Sequence, residues 1–129
     1  MASNALITKI ARKKLVMARA GAITLPPITG MAFGDGGADA DGTAIAPEEG
    51  QAALTNELIR KEISGYEILE DAVATCRYTA TLTEGECVGK DISELGLYDA
   101  EGDLVCIKTF SPKGKDADLE MTFTLDDIF

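Results

Sequence analysis

Residues 92–110, ISELGLYDAEGDLVCIKTF, hold two apolar strand-like runs joined by DAEGD, the pattern of a β-hairpin. Leu95 and Leu97 share one face by the two-residue period of a strand, and Gly102 stands where a short turn needs positive φ. Leu104, Cys106 and Phe110 then resume the alternation. The same period governs residues 75–82, with Cys76, Tyr78, Ala80 and Leu82 on one side and Thr75, Arg77, Thr79 and Thr81 on the other. A last strand is expected over residues 119–125, where Met121, Phe123 and Leu125 alternate with Glu120, Thr122 and Thr124.

Upstream the period lengthens. Leu6, Ile7, Ile10, Ala11, Met17 and Ala18 form one broad stripe at helical spacing, and Gly21 is placed to end it, so residues 1–21 are expected to supply an N-terminal helix over 5–20. Leu15 and Val16 fall outside that stripe, which suggests a helix with contacts on two sides. Residues 22–50 read as a Gly/Asp-rich loop region, in which Pro26 and Pro27 forbid a helix and residues 28–33 can form one strand. Residues 51–63 are expected to form a second helix: Pro47, Glu48 and Glu49 suit its start, Leu54, Leu58 and Ile59 give it a face, and Glu57 is spaced to pair with Lys61. The expected fold class is α+β, one domain over residues 1–129, with an antiparallel β-sheet over 66–129 and both helices packed on it.

Composition narrows the chemistry. With 46% hydrophobic and only 5% aromatic residues, and no Trp, the core must rest on aliphatic side chains. The absence of His excludes Ser-His-Asp and Cys-His catalysis, His-rich zinc sites and a histidine pH switch. Cys76, Cys87 and Cys106 make no CxxC pair and leave one over if two join, which suits reduced structural thiols. Charge is split: Lys9, Arg12, Lys13, Lys14 and Arg19 precede every acid, and the other seven basic residues stand against all 22 acids, a net −15 over residues 34–129. Such a body repels phosphate backbones, so no nucleic-acid partner is expected. No run is long enough to cross a membrane, and the four apolar residues before Arg19 are too few for a signal peptide.

Three blocks in order, FGDGG at 33–37, LTNELIRKEI at 54–63 and SELGLYDAEGDLVCIKTF at 93–110, resemble the N-terminal domain of phage tail-collar fibre proteins. The resemblance implies a phage or prophage tail protein, made in the host cytoplasm without a signal peptide and located in the virion tail. Its implied partners are other tail, baseplate or fibre proteins, with a homotrimer inferred from fibre architecture. It also implies that FGDGG is a structural signature, its glycines permitting tight turns beside a packed Phe33. The chain shows no internal repeat and no glycine-rich shaft, so direct host recognition is not expected of it.

Individual residues offer limited chemistry. Asp39, Asp41, Gly42 and Glu48 match positions 3, 5, 6 and 12 of a calcium-binding EF-hand loop, but Gly37 replaces the first ligand and Pro47 adjoins the last, so an acidic solvated loop is the simpler reading. Gly34–Gly37 lacks the Gly-Lys-Ser/Thr ending of a phosphate loop. Paired acids at 48–49, 70–71 and 126–127 meet no aromatic sugar-binding residues of the kind a wall hydrolase uses. Residues 111–116 read as an exposed turn whose Lys113 and Lys115 can touch an acidic partner. No cofactor and no catalytic residue is expected. Interface candidates are Leu15, Val16 and Arg19 on the first helix, with Ile128 and Phe129 at the end of the sequence. The expected role is a non-catalytic tail component acting through interfaces. A fibre-assembly chaperone is the alternative, and a calcium-stabilised binding module a third reading.

Overall fold

The hairpin pattern is realised as the long strands β6 (Asp91–Asp99) and β7 (Leu104–Gly114) of a computed structural model that describes residues 4–70 and 74–128. Gly102 takes φ +87° and donates its N–H to the Asp99 carbonyl, while the Asp99 N–H donates to the Asp103 carbonyl. The β6–β7 register shifts twice, between Ile92 and Glu94 and between Leu97 and Tyr98. Leu97 faces Cys106 but Tyr98 faces Leu104, so Val105 is an extra residue, a bulge that turns Leu104 to the face of Ile107. The expectation that Leu104 shares a face with Cys106 is thereby corrected.

β2 (Ile28–Gly34) lies along β6, β3 (Glu57–Glu62) along β2, and β1 (Ala5–Ile7) along β7. The result is a five-stranded antiparallel sheet in the order β1-β7-β6-β2-β3. A second antiparallel sheet has the order β4-β5-β8, from β4 (Gly65–Ile68), β5 (Thr75–Leu82) and β8 (Met121–Ile128). Met31, Phe33, Leu95, Leu97 and Cys106 from the first sheet meet Ala80, Leu82 and Leu125 from the second, and Phe33 sets its ring edge-on to Phe123 at 5.3 Å. On the other face of the first sheet, Ala32, Leu104 and Ile107 pack beneath Leu54. The aliphatic core anticipated from composition is therefore divided between the two faces of one sheet.

Among the described residues there is one α-helix, α1 (Lys9–Arg19). It is shorter than expected because residues 5–7 pair with Cys106, Ile107 and Lys108 of β7 instead of continuing the helix. Thr8 starts the helix: its hydroxyl accepts from the Ala11 N–H and donates to the Leu104 carbonyl at 2.7 Å. The second helix expected over 51–63 does not exist. Residues 57–62 are β3, an edge strand recruited by the open side of β2, and the anticipated Glu57–Lys61 pair is replaced by Glu57 with Arg60 and Lys61 with Glu86. The expected single sheet over 66–129 is likewise two sheets, and the first of them takes in strands from before residue 66. Residues 111–114 belong to β7, and the Lys115 ammonium is buried against the Glu84 and Asp116 carbonyls, so Lys115 is not on an exposed turn.

Candidate functional site

Three separate segments converge on the Glu94 side chain. It is fully buried, and its Oε2 accepts from the Gly36 and Asn56 backbone N–H groups at 2.9 and 2.8 Å while its Oε1 accepts from the Thr55 N–H at 2.8 Å. The neighbouring Ser93 hydroxyl accepts from the Gly37 N–H. These contacts join the FGDGG, LTNE and SEL blocks, which lie far apart in the chain. Glycine is needed at the junction for space: a β-carbon on Gly34 would fall 2.6 Å from both the Asn56 carbonyl oxygen and Glu94 Oε2, and one on Gly37 would strike the Ser93 carbonyl. The carboxylate accepts from three backbone amides, so the arrangement fixes loops.

A second buried charge ties α1 to the hairpin. Lys14 lies on the buried face of the helix with Ala11, and its ammonium contacts Asp99 at 2.6 Å, Asp103 at 2.8 Å and Glu101 at 3.1 Å. Burial pulls the ammonium pKa down, but the bonds to Asp103, Asp99 and Glu101 outweigh it and the net shift is upward. The turn is braced from inside as well, since Asp99 Oδ1 accepts from the Glu101 and Asp103 N–H groups. The basic run 12–14 is thus only partly a solvated face: Arg12 and Lys13 are exposed and Lys14 is not.

Beside this clamp, an apolar cleft of about 410 Å³ opens between α1, the Pro26-Pro27 segment and the second sheet. Leu15, Ile28, Ile68, Cys76, Tyr78 and Val105 line it, together with Asp127. Asp127 is only 9% exposed, and its Oδ1 is buried without a hydrogen-bond partner. Burial raises its carboxyl pKa, pushes the Cys106 thiol up to about 12 and, with the Cys76 contact, raises the Tyr78 hydroxyl. A raised folded pKa means that the associated stability is fully present below the unfolded carboxyl value of about 3.9 and is lost as pH rises through the folded one. The thermal midpoint of Asp127→Asn will therefore gain on that of the wild type between pH 4 and pH 7, because the Cys106 thiol and Tyr78 hydroxyl titrate at higher pH. A difference that stays constant with pH would contradict this.

The interface candidates fall in different settings. Leu15 is half-buried in the cleft wall, whereas Val16 is 69% exposed, Arg19 is exposed and Ile128 is 58% exposed. Leu15 and Asp127 line one cleft, whereas Ile128, next to Asp127 on β8, alternates to the opposite face of the strand. Phe129 lies outside the described residues. In the acidic loop, Asp39 Oδ1 accepts from the Asp41 and Thr43 N–H groups and closes a turn, and the Glu48 N–H donates to the Gln51 side chain. Among the described residues no group of three or more Asp, Glu and Cys side chains is arranged to hold a metal ion. Asp126 pairs with Arg77 on one face of β8 while Asp127 faces the cleft on the other, so these two acids do not form a dyad. None of the described helices is long and apolar enough to cross a membrane.

Glu94 carries no mark in the sequence, Lys14 stands out only as one charge of a basic run, and Asp127 only as one of the paired acids at 126–127. Asp127 had a signal, since the alternation of Met121, Phe123 and Leu125 carried two residues further puts it on the inward face. A family model described as phage tail-collar fibre protein, N-terminal, matches residues 1–124 and so contains all three blocks that meet at Glu94. No curated protein matches the chain.

Proposed function

This chain belongs to the phage tail-collar fibre protein family, and we propose that it is a structural component of a phage or prophage tail, an attachment or connector piece that works through protein–protein interfaces and not by catalysis. The observation that carries this reading is the family match over residues 1–124. The chemistry of the fold supports it. The buried carboxylate Glu94 is committed to backbone amides, Asp99 to Lys14, and the chain has no His to serve as a general base.

The contact surfaces we assign are α1, with Leu15 in the cleft wall and Val16 and Arg19 exposed beside it in sequence, and Ile128 at the end of β8. Exposed apolar side chains such as Val16 and Ile128, and an apolar cleft lined by Leu15, are features of a protein interface. Neighbouring tail, baseplate or fibre proteins are the partners, and assembly in threes is the arrangement proposed. The joint substitution of Val16→Asp and Arg19→Glu reverses the charge of the α1 surface without touching a buried residue. Its incorporation into sedimented tail particles will fall by about tenfold or more relative to wild type, with the circular dichroism spectrum unchanged. Undiminished incorporation would remove α1 from the contact surface.

A further inference from the structure

The cleft contains an acceptor that no described residue satisfies. Asp127 Oδ1 is buried and unpartnered, burial raises its pKa, and the cation that also lines the cleft, Lys14, is held by Asp99. A carboxyl oxygen has acceptor capacity in either protonation state, so a donor is the partner that fits it. We propose that the cleft receives a lysine side chain from a partner tail protein, with its ammonium at the Asp127 carboxyl group and its aliphatic stem along Leu15, Pro26, Ile28 and Ile68.

Three features select lysine. The lining is mostly apolar, with Lys14, Thr75, Tyr78, Asp99 and Asp127 its polar members, which suits a hydrocarbon stem with a charged tip, and about 410 Å³ is ample room for a four-carbon chain. A single buried oxygen fits the compact ammonium better than the planar guanidinium fork, which favours two parallel bonds. Lys14 already shows the same chemistry at the cleft margin, an ammonium held among carboxylates, and it is committed to Asp99, Asp103 and Glu101. The net −15 of residues 34–129 attracts a basic partner over a longer range. Ile68, 68% exposed, stands where the arriving chain passes.

This inference rests on the cleft end being a tail contact, but its test uses the isolated chain and is independent of particle composition. The probes are n-pentylammonium and n-pentanol, equal in length and different in charge, titrated at pH 7 while backbone amide chemical shifts are followed. The amides of Leu15, Ile28, Cys76 and Asp127 will shift saturably, and the ammonium will bind at least about tenfold more tightly than the alcohol. Asp127→Asn will bind both probes alike. Equal affinities in the wild type, an unchanged preference in Asp127→Asn, or shifts confined to another surface would overturn the proposal. Should Asp127→Asn lose its native spectrum, Ile68→Trp at the cleft mouth replaces it: loss of ammonium binding is expected, and unaltered binding would overturn the proposal.

Discussion

Glu94→Ala will destabilise the protein by about 3–5 kcal/mol. The carboxylate accepts three backbone N–H groups, from Gly36, Thr55 and Asn56. Each bond to a charged acceptor contributes about 1.5–3 kcal/mol, and water at the exposed Thr55 and Asn56 recovers part of the sum. A domain of this size has a total stability of about 5–15 kcal/mol, so the variant stands near the threshold of folding, with a thermal midpoint lower by about 10–20 °C. Glu94→Gln keeps the volume and one acceptor oxygen, but its NH2 must face either Thr55 or the Gly36 and Asn56 pair. It will lose about half as much. Urea midpoints measured with an unchanged slope would establish the order wild type, Gln, Ala, and a full-strength Glu94→Ala variant would show that the three blocks are held by something else.

Lys14→Met will cost about 3 kcal/mol although the two side chains are similar in size. Removing the ammonium leaves the Asp99 carboxylate, whose side chain is 1% exposed, without its cation at 2.6 Å, and breaking one partner of a buried pair costs about 3–5 kcal/mol. The two backbone N–H bonds to Asp99 Oδ1 remain and place the expected loss at the lower end. The raised pKa of Lys14 means that its contribution is fully present below the unfolded value of about 10.4 and is lost only above that, so the loss will be the same at pH 6 and pH 9. Adding Asp99→Asn to Lys14→Met will destabilise by less than the two single changes together, because each alone strands the other group. Strict additivity would mean that α1 is held by its apolar face and not by this ion pair.

Where the chain's own alternation sets the structure, the sequence was legible. The period of two in β5, β6 and β8 named the inward residues Cys76, Tyr78, Ala80 and Leu82, with Met121, Phe123 and Leu125 opposite them, and Gly102 marked the turn. Non-local choices were not legible. Residues 57–62, ELIRKE, are good helix formers with helix-compatible spacing, and only the open edge of β2 makes them a strand. Residues 5–7 were lost to β7 for the same reason. One extra residue at Val105 reversed Leu104 with no mark in composition.

The site shows the same division. The three blocks that carry the family resemblance were recognisable as strings, but that they meet at one carboxylate depends on strand register, which brings Gly34 beside Glu94. Lys14 reads as one more charge in a basic run, and its burial follows from the helix position that faces the acidic turn. Arg77 and Asp126, by contrast, are a half-exposed pair across β5 and β8 of the kind that adds little to stability. Sequence reading overvalues such charges and undervalues the buried ones, because burial is a property of the assembled sheets.

Quantitative mass spectrometry of purified tail particles from the producing strain, with this chain counted against a sheath protein and a fibre protein, tests the proposed role most directly. The account predicts the chain in finished particles at a small fixed ratio, in multiples of three. Its absence from finished particles that nevertheless require it for their formation would contradict the structural role and identify an assembly factor.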